Sequence, residues 1–221
     1  MQSFTEENYL KTIYYLATRQ QGEVSTNALA EMTATKAASV TDMLRKLADK
    51  QLIHYKKYQG VRLTEEGERL ALQIIRRHRL WEVFLVDKLG FRWDQVHEMA
   101  EELEHIRSEE LVERLDTFLG HPQFDPHGDP IPTPAGQMPE TGYQKLSEMV
   151  AGEPVQLMGV LEHSTEFLQH LDRSNLTLGC TVVIREVNTF DRSVQVQLVG
   201  GQTVFISYEV AKNLLVNQPA G

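Results

Sequence analysis

Histidine and glutamate recur at helical spacing in the middle of the chain. His78 and Glu82 stand four residues apart, and His97, Glu101, Glu104 and His105 stand at i, i+4, i+7 and i+8. At 3.6 residues per turn, each set falls on one helical face. If the two helices pack antiparallel through a turn at Gly90, three imidazoles and three carboxylates converge. Nitrogen and oxygen ligands without thiolate suit Mn²⁺, Fe²⁺ or Zn²⁺, and carboxylate-rich sets favour the harder ions. Asp125 and His127 add a second pair. On an extended segment, residues i and i+2 point the same way, so this pair can make a further site with Glu82. The competing reading is a solvated acidic face, and Glu98, Glu102, Glu109 and Glu110 are assigned to it. Cys180 stands at the entry to a strand and reads as a core residue rather than a ligand.

Two long helices must carry the ligand sets, over about Glu65–Lys88 and Trp93–Leu119. Ahead of them lie a helix from about Glu6 to Ala17 and a short one over Thr26–Glu31, capped by Ser25 or Thr26. A third helix follows Thr35, read as its N-cap, and reaches about Lys50. Val40, Met43, Leu44 and Leu47 give it an apolar stripe. Leu52–Tyr58 and Val61–Thr64 read as two strands around a Gln59-Gly60 turn. Helices followed by a hairpin form a winged helix-turn-helix plan. The outward face of the third helix offers Lys36, Ala38, Ser39, Thr41 and Asp42, with Thr35 at its start. Small and polar residues there can enter a major groove and meet base edges. Arg45 and Lys46 follow where backbone contacts are expected, and the hairpin adds Lys56, Lys57 and Arg62 for phosphates.

Six of the eight prolines fall between Pro122 and Pro139. That stretch cannot be regular helix or central strand, so it reads as an extended linker. Beyond it, Val155–Met158, Thr181–Val187, Ser193–Leu198 and Thr203–Ile206 read as short strands separated by turns, the pattern of a small barrel. The fold class is therefore mainly α with a small β domain.

The net charge of −9 argues at first against nucleic acid. It is unevenly spread. Residues 1–75 hold ten Lys/Arg against nine Asp/Glu, whereas residues 76–150 hold eight against fifteen. A near-neutral head can bind phosphates where its bases cluster, and an acidic middle can bind cations. No run of about 18 apolar residues occurs, so no membrane span or membrane partner is expected. The N-terminus lacks a basic and apolar leader, and the single cysteine excludes an internal disulfide. Both fit a reducing cytoplasm.

The ordered motifs resemble the diphtheria-toxin-repressor family of iron- and manganese-dependent transcriptional regulators, and more closely its manganese transport regulator branch. They are Glu7–Tyr14, Ser39–Leu47, Tyr58–Gly67, Arg77–Glu82, His97–His105, His127–Pro132 and Leu176–Gly179. The resemblance implies a winged helix-turn-helix over 1–72 and a helical metal-binding and dimerisation domain over 73–140, its Pro-rich linker starting at 121. An SH3-like (FeoA-like) barrel over 141–221 follows. It implies a homodimer on double-stranded operator DNA, repressing metal-uptake genes when Mn²⁺ or Fe²⁺ is bound, with Zn²⁺, Co²⁺ or Cd²⁺ able to substitute. His78, Glu101, Glu104 and His105 match core ligands. Glu101 stands where iron-responsive members have a cysteine. Glu82 and His97 match an ancillary site. Asp125 and His127 match a further one, which His163 in the barrel can complete. Two positions depart from the pattern. Asn8 stands where relatives carry Asp or Met, and its amide oxygen is the ligand expected. Lys11 stands where a binuclear-site carboxylate is found, and a cation cannot ligate.

Two other readings stand beside this one. A carboxylate-bridged metalloenzyme would use the same His/Glu cluster, but no nucleophile signature accompanies it. A metal-independent winged-helix regulator would leave the acidic helices as surface.

Overall fold

The computed structural model describes residues 2–20, 22–56, 59–152 and 154–218. The chain divides into two compact units, each assembled from separated stretches. Residues 1–78, 102–112 and 131–139 form one; residues 79–101, 113–130 and 140–221 form the other.

In the first unit, helix α1 (Phe4–Gln20) turns Tyr9, Leu10, Ile13 and Leu16 inward. Helix α2 (Thr26–Met32) starts at Ser25, whose hydroxyl accepts from the Ala28 amide. Helix α3 (Ala37–Asp49) buries Val40, Leu44 and Leu47. These stripes form one core with Val24, Leu29, Leu52, Ile53 and Val61. Thr35 does not cap α3. The cap position is Lys36, without a side-chain bond, and the Thr35 hydroxyl instead meets the Tyr9 phenol at 3.2 Å. Strands β1 (Ile53–Lys56) and β2 (Gly60–Leu63) pair antiparallel, and Val24 exchanges both backbone bonds with Val61. Lys57 and Tyr58 lie outside the described residues. Helix α4 (Glu65–Asp87) follows directly. Glu65, Glu66 and Glu68 in its first turn face the positive end of the helix dipole.

The second expected long helix is two short ones. Helix α5 (His97–Leu103) ends before Glu104, and helix α6 (Glu109–Phe118) begins afresh. Ser108 causes the restart, since its hydroxyl accepts from the Leu111 amide and its carbonyl from the Val112 amide. Glu104 and His105 therefore belong to a turn rather than to the helical face of His97 and Glu101.

The second unit carries a six-stranded antiparallel sheet in the order β3-β8-β4-β5-β6-β7. Its strands are β3 (Gln144–Lys145), β4 (Pro154–Val160), β5 (Thr181–Val187), β6 (Val194–Leu198), β7 (Thr203–Ile206) and β8 (Leu214–Asn217). Helix α7 (Thr165–Arg173) adds Leu168 and Leu171 to its core, and a last short helix, α8 (Tyr208–Ala211), adds Ala211. The strand β8, the short β3 and helix α7 were not anticipated from the sequence.

Within this unit the Pro-rich stretch is bent, not extended, where it matters. Asp125–Gly128 is a tight turn closed by the Gly128 amide on the Asp125 carbonyl. The Val160 amide of β4 donates to the His127 carbonyl at 3.0 Å. Gly128 has φ +86°, and a Cβ there would lie 2.0 Å from the Met158 carbonyl oxygen. Only glycine lets the turn approach the strand this closely. Gly120 has φ +78° with open space around it. We expect Gly120→Ala to cost about 1 kcal/mol, for the backbone conformation alone. Gly128→Ala should cost about 3 kcal/mol or more, because the clash adds to the strain. Urea unfolding of both variants checks this, and equal losses would mean that β4 does not hold the turn.

Candidate metal centre

In the second unit, Glu82 of α4 meets Asp125 and His127 of the turn. One ligand atom from each lies within 4.8 Å of the others, and all three residues are buried. The turn aims them. Asp125 Oδ1 accepts from the His127 and Asp129 amides at 2.8 and 3.0 Å. Asp125 Oδ2 remains, 3.5 Å from Arg79 Nε. His127 Nε2 donates to the Trp93 carbonyl at 2.8 Å, which directs the other ring nitrogen, Nδ1, to the cluster. Nδ1 is buried without a hydrogen-bond partner and lies 3.6 Å from Glu82 Oε2.

Charge at this centre does not balance. Glu82, Asp125 and Asp129 gather around Arg79, whose guanidinium donates to Asp129 at 2.9 Å and to the Pro130 carbonyl. Burial, then the Asp129 and Glu82 anions, push the Asp125 carboxyl up to about 7. Burial opposes a charged His127, but its contact with Glu82 wins and lifts the imidazole to about 9. A cluster that recruits protons in this way is short of positive charge. One orphaned imidazole nitrogen beside two buried carboxylates fits a divalent ion of intermediate hardness.

Two other expected ligands sit nearby. His97 Nδ1 lies 3.4 Å from Glu82 Oε1. The His163 ring stacks on His127 at 4.5 Å, and its Nε2 donates to the Val160 carbonyl. Burial, then His127, lowers the basicity of His163, so it carries no charge at neutral pH. His163 is thus a wall of the centre and not one of the three residues whose ligand atoms converge. Asp129, Arg79 and Trp93 were missed by sequence reasoning, because nothing in their spacing marks a residue that positions ligands through backbone and ion-pair bonds.

The first unit brings another part of the expected set together, with different partners. Both oxygens of the fully buried Glu104 accept from the Lys11 ammonium, at 2.7 and 2.8 Å, and Oε2 also meets His78 Nδ1 at 2.7 Å. Arg77 donates to the Glu104 carbonyl. Burial opposes ionisation of Glu104, but His78 and Lys11 hold its carboxyl below the ordinary range. His105 Nδ1 bonds Glu7 at 2.7 Å, and Arg107 reaches the same carboxylate at 3.0 Å. Glu7 is a partner that the spacing argument did not find. Asn8 Oδ1 is buried without a hydrogen-bond partner, as an awaiting ligand would be. Glu101, in the second unit, is partly exposed, 3.7 Å from His97.

On the opposite side of the α3 core stripe, Lys36, Ala38, Ser39, Asp42, Arg45 and Lys46 are exposed, and Thr35 precedes them. Thr41 is half-buried, and its hydroxyl is spent on the Ala37 carbonyl. Arg45 lies 3.3 Å from Asp42, and Lys46 lies 3.0 Å from Glu6. Lys56 and Arg62 are exposed on the hairpin, and His54 pairs with Arg62 across the strands.

Residues 1–61 match the family described as iron dependent repressor, N-terminal DNA binding domain. Residues 64–133 match iron dependent repressor, metal binding and dimerisation domain, and residues 144–218 match the FeoA domain. The iron-dependent repressor IdeR of Mycobacterium tuberculosis (strain ATCC 25618 / H37Rv) is 30% identical over 227 residues, covering 97% of either chain. The diphtheria toxin repressor of Corynebacterium glutamicum is 30% identical over 191 residues, covering 81% of this chain and 83% of the relative. Among solved structures, a manganese-dependent transcriptional repressor in complex with manganese superposes with a TM-score of 0.88 at 35% identity, covering 97% of this chain and 100% of that one. ScaR with bound Zn²⁺ gives 0.81 at 31% identity, covering 97% of this chain and 99% of that one.

The protonation of the Glu82 centre predicts how metal affinity depends on pH. Asp125 titrates near its ordinary value, about 3.9, when unfolded and about 7 when folded. Its folded value is raised, so the metal-free protein loses stability as pH rises between those values. An ion entering the centre displaces the Asp125 proton and the one on His127. Mn²⁺ affinity should therefore tighten by about tenfold per pH unit from pH 6 to 8, one proton leaving per ion at the least. Calorimetry in two buffers of different ionisation enthalpy measures that release. Metal binding with no proton release would remove these two residues from the site.

Proposed function

The chain belongs to the iron-dependent repressor family, and on that premise we propose that it is a homodimeric repressor whose grip on operator DNA is switched on by Mn²⁺. The buried, orphaned Nδ1 of His127 beside Glu82 and Asp125 is the observation that carries the metal half of this reading. The ion supplies the positive charge that these carboxylates lack. His97 and His163 complete the walls, and the resemblance assigns Asn8, His78, Glu101, Glu104 and His105 to a second ligand set, of which Glu104 is already engaged by Lys11 and His78. The oxygen-rich character of both sets, and Glu101 where a thiolate would favour iron, support Mn²⁺ over Fe²⁺. Zn²⁺, Co²⁺ and Cd²⁺ are expected to bind as substitutes.

The DNA half rests on α3. Lys36, Ala38, Ser39 and Asp42, on the exposed face of its first turns, are assigned to base edges. Thr35, Arg45 and Lys46 are assigned to the backbone, with Lys56, Lys57 and Arg62 on phosphates. Thr41 contributes through its methyl, since its hydroxyl is already bonded. A dimer places two such helices about 34 Å apart, one turn of the duplex. Domain limits of 1–72, 73–140 and 141–221 and a cytoplasmic setting belong to the same proposal. The controlled genes are taken to be those of metal uptake.

Binding of the purified protein to a labelled pool of genomic fragments, at fixed salt, tests this. Specific binding is expected with Mn²⁺ and absent with chelator. Binding indifferent to metal would leave a winged-helix regulator of another kind. For the centre itself, Asp125→Asn keeps the shape but removes the charge. We expect it to lose one Mn²⁺ per subunit by elemental analysis and to weaken operator binding at limiting Mn²⁺ by about tenfold or more. Unchanged stoichiometry would show that the ion sits elsewhere.

A further inference from the structure

The first unit contains a cation of its own. Lys11 on α1 and Glu104 are 93 residues apart in sequence, and the Lys11 ammonium donates to both oxygens of the carboxylate. The side chains are 9% and 0% exposed, so neither reaches bulk water. His78 closes the same carboxylate from its other side. Around this pair positive charge is not lacking. Glu7 and Glu104 are the buried acids; Lys11 and Arg107 pair with their carboxylates, and Arg77 donates to the Glu104 backbone carbonyl. Glu82, Asp125 and Asp129 of the second unit are met by Arg79, the titrating His127 and the imidazoles of His97 and His163.

We propose that the Lys11 ammonium occupies a cation position in this chain, doing for Glu104 and His78 what a second metal ion would do and tying α1 to the turn after α5 without metal. This rests on reading the chain as a metal-responsive regulator, and it goes beyond it by assigning a place where one ion is replaced by a side chain. The constraint is electrostatic. A divalent ion sharing both Glu104 oxygens would stand within about 4 Å of a buried ammonium, and like charges at that distance, away from water, repel strongly. The Lys11 side chain is itself buried. The lobe therefore takes Lys11 or an additional ion on those oxygens, but not both. Two consequences follow. The wild-type lobe holds one ion fewer than it would with a carboxylate at position 11. Its α1 contact also survives complete removal of metal.

The test replaces the charge. Lys11→Glu puts a carboxylate opposite Glu104 and His78, and it should bind one more Mn²⁺ per subunit than wild type by elemental analysis after dialysis. Its melting temperature in chelator should fall below wild type and recover with Mn²⁺. Lys11→Arg should keep the wild-type stoichiometry. Lys11→Met, which packs without a charge, guards against a Lys11→Glu protein that does not fold, and should either gain an ion or bind one about tenfold more tightly. The proposal is overturned if neither variant gains an ion or affinity, or if melting in chelator is unchanged in both. A wild type that binds no divalent ion, with Lys11→Glu binding one, would sink the metal-regulator reading and leave this inference standing.

Discussion

A carboxylate that leaves water must find a positive charge or keep its proton, and this protein meets that demand in two ways. Glu104, with no exposed surface, has the Lys11 ammonium on both oxygens and remains ionised. Asp125, equally enclosed, has Arg79 at 3.5 Å and two further acids nearby, and keeps its proton to about 7. The first arrangement is complete without added ions; the second is not. Charging a buried group without compensation costs several kcal/mol, so the second arrangement is a standing demand for a cation. The same demand makes Glu104→Ala a poor probe of metal binding, because it would strand a buried ammonium. Asp125→Asn removes an anion from a place with too many.

The demand is fixed in space by backbone, not by side chains alone. The turn over Asp125–Gly128 presents Asp125 and His127 to Glu82 because Gly128 lies against β4 where no Cβ fits. The His127 carbonyl closes on the Val160 amide and its ring on the Trp93 carbonyl, so the imidazole is held at both ends. Such restraint leaves Nδ1 aimed at the carboxylates before any ion arrives, which lowers the ordering cost of binding. His163, stacked on the same ring, excludes water from that side.

Helical spacing placed His78 and Glu82 on one helix, although their side chains go to different clusters, and the short apolar periods made α1, α2, α3 and the hairpin readable. Local signals of this kind survive in a single chain because each residue need know only its neighbours. What was not readable depended on groups distant in sequence or on competition between equal preferences. The run from Trp93 to Leu119 is helix-forming throughout. Its break at Glu104–Ser108 turns on the Ser108 cap, which competes with continued helix by a small margin. Lys11 could be seen to be no ligand, but its partnership with Glu104 spans 93 residues and leaves no pattern. Asp125 and His127 do come together beside Glu82, but a turn and not the expected extended strand brings them there.

The first unit also shows how the Glu104 turn is joined to α3. Lys11 fastens α1 at one point. Five residues earlier on the same helix, Glu6 accepts from Lys46 of α3 and from Lys50 just past its end, bonds that hold its carboxyl at about 2 despite its burial. Tyr9 reaches Thr35 at the start of the same α3. Helix α1 is thus bonded to the Glu104 turn at its middle and to both ends of α3 by neighbouring residues. These bonds join the Glu104 turn to α3 through one helix, all within the first unit. On the proposed reading, whatever free energy a bound ion contributes to placing α3, DNA bound to α3 must return to the ion in equal measure.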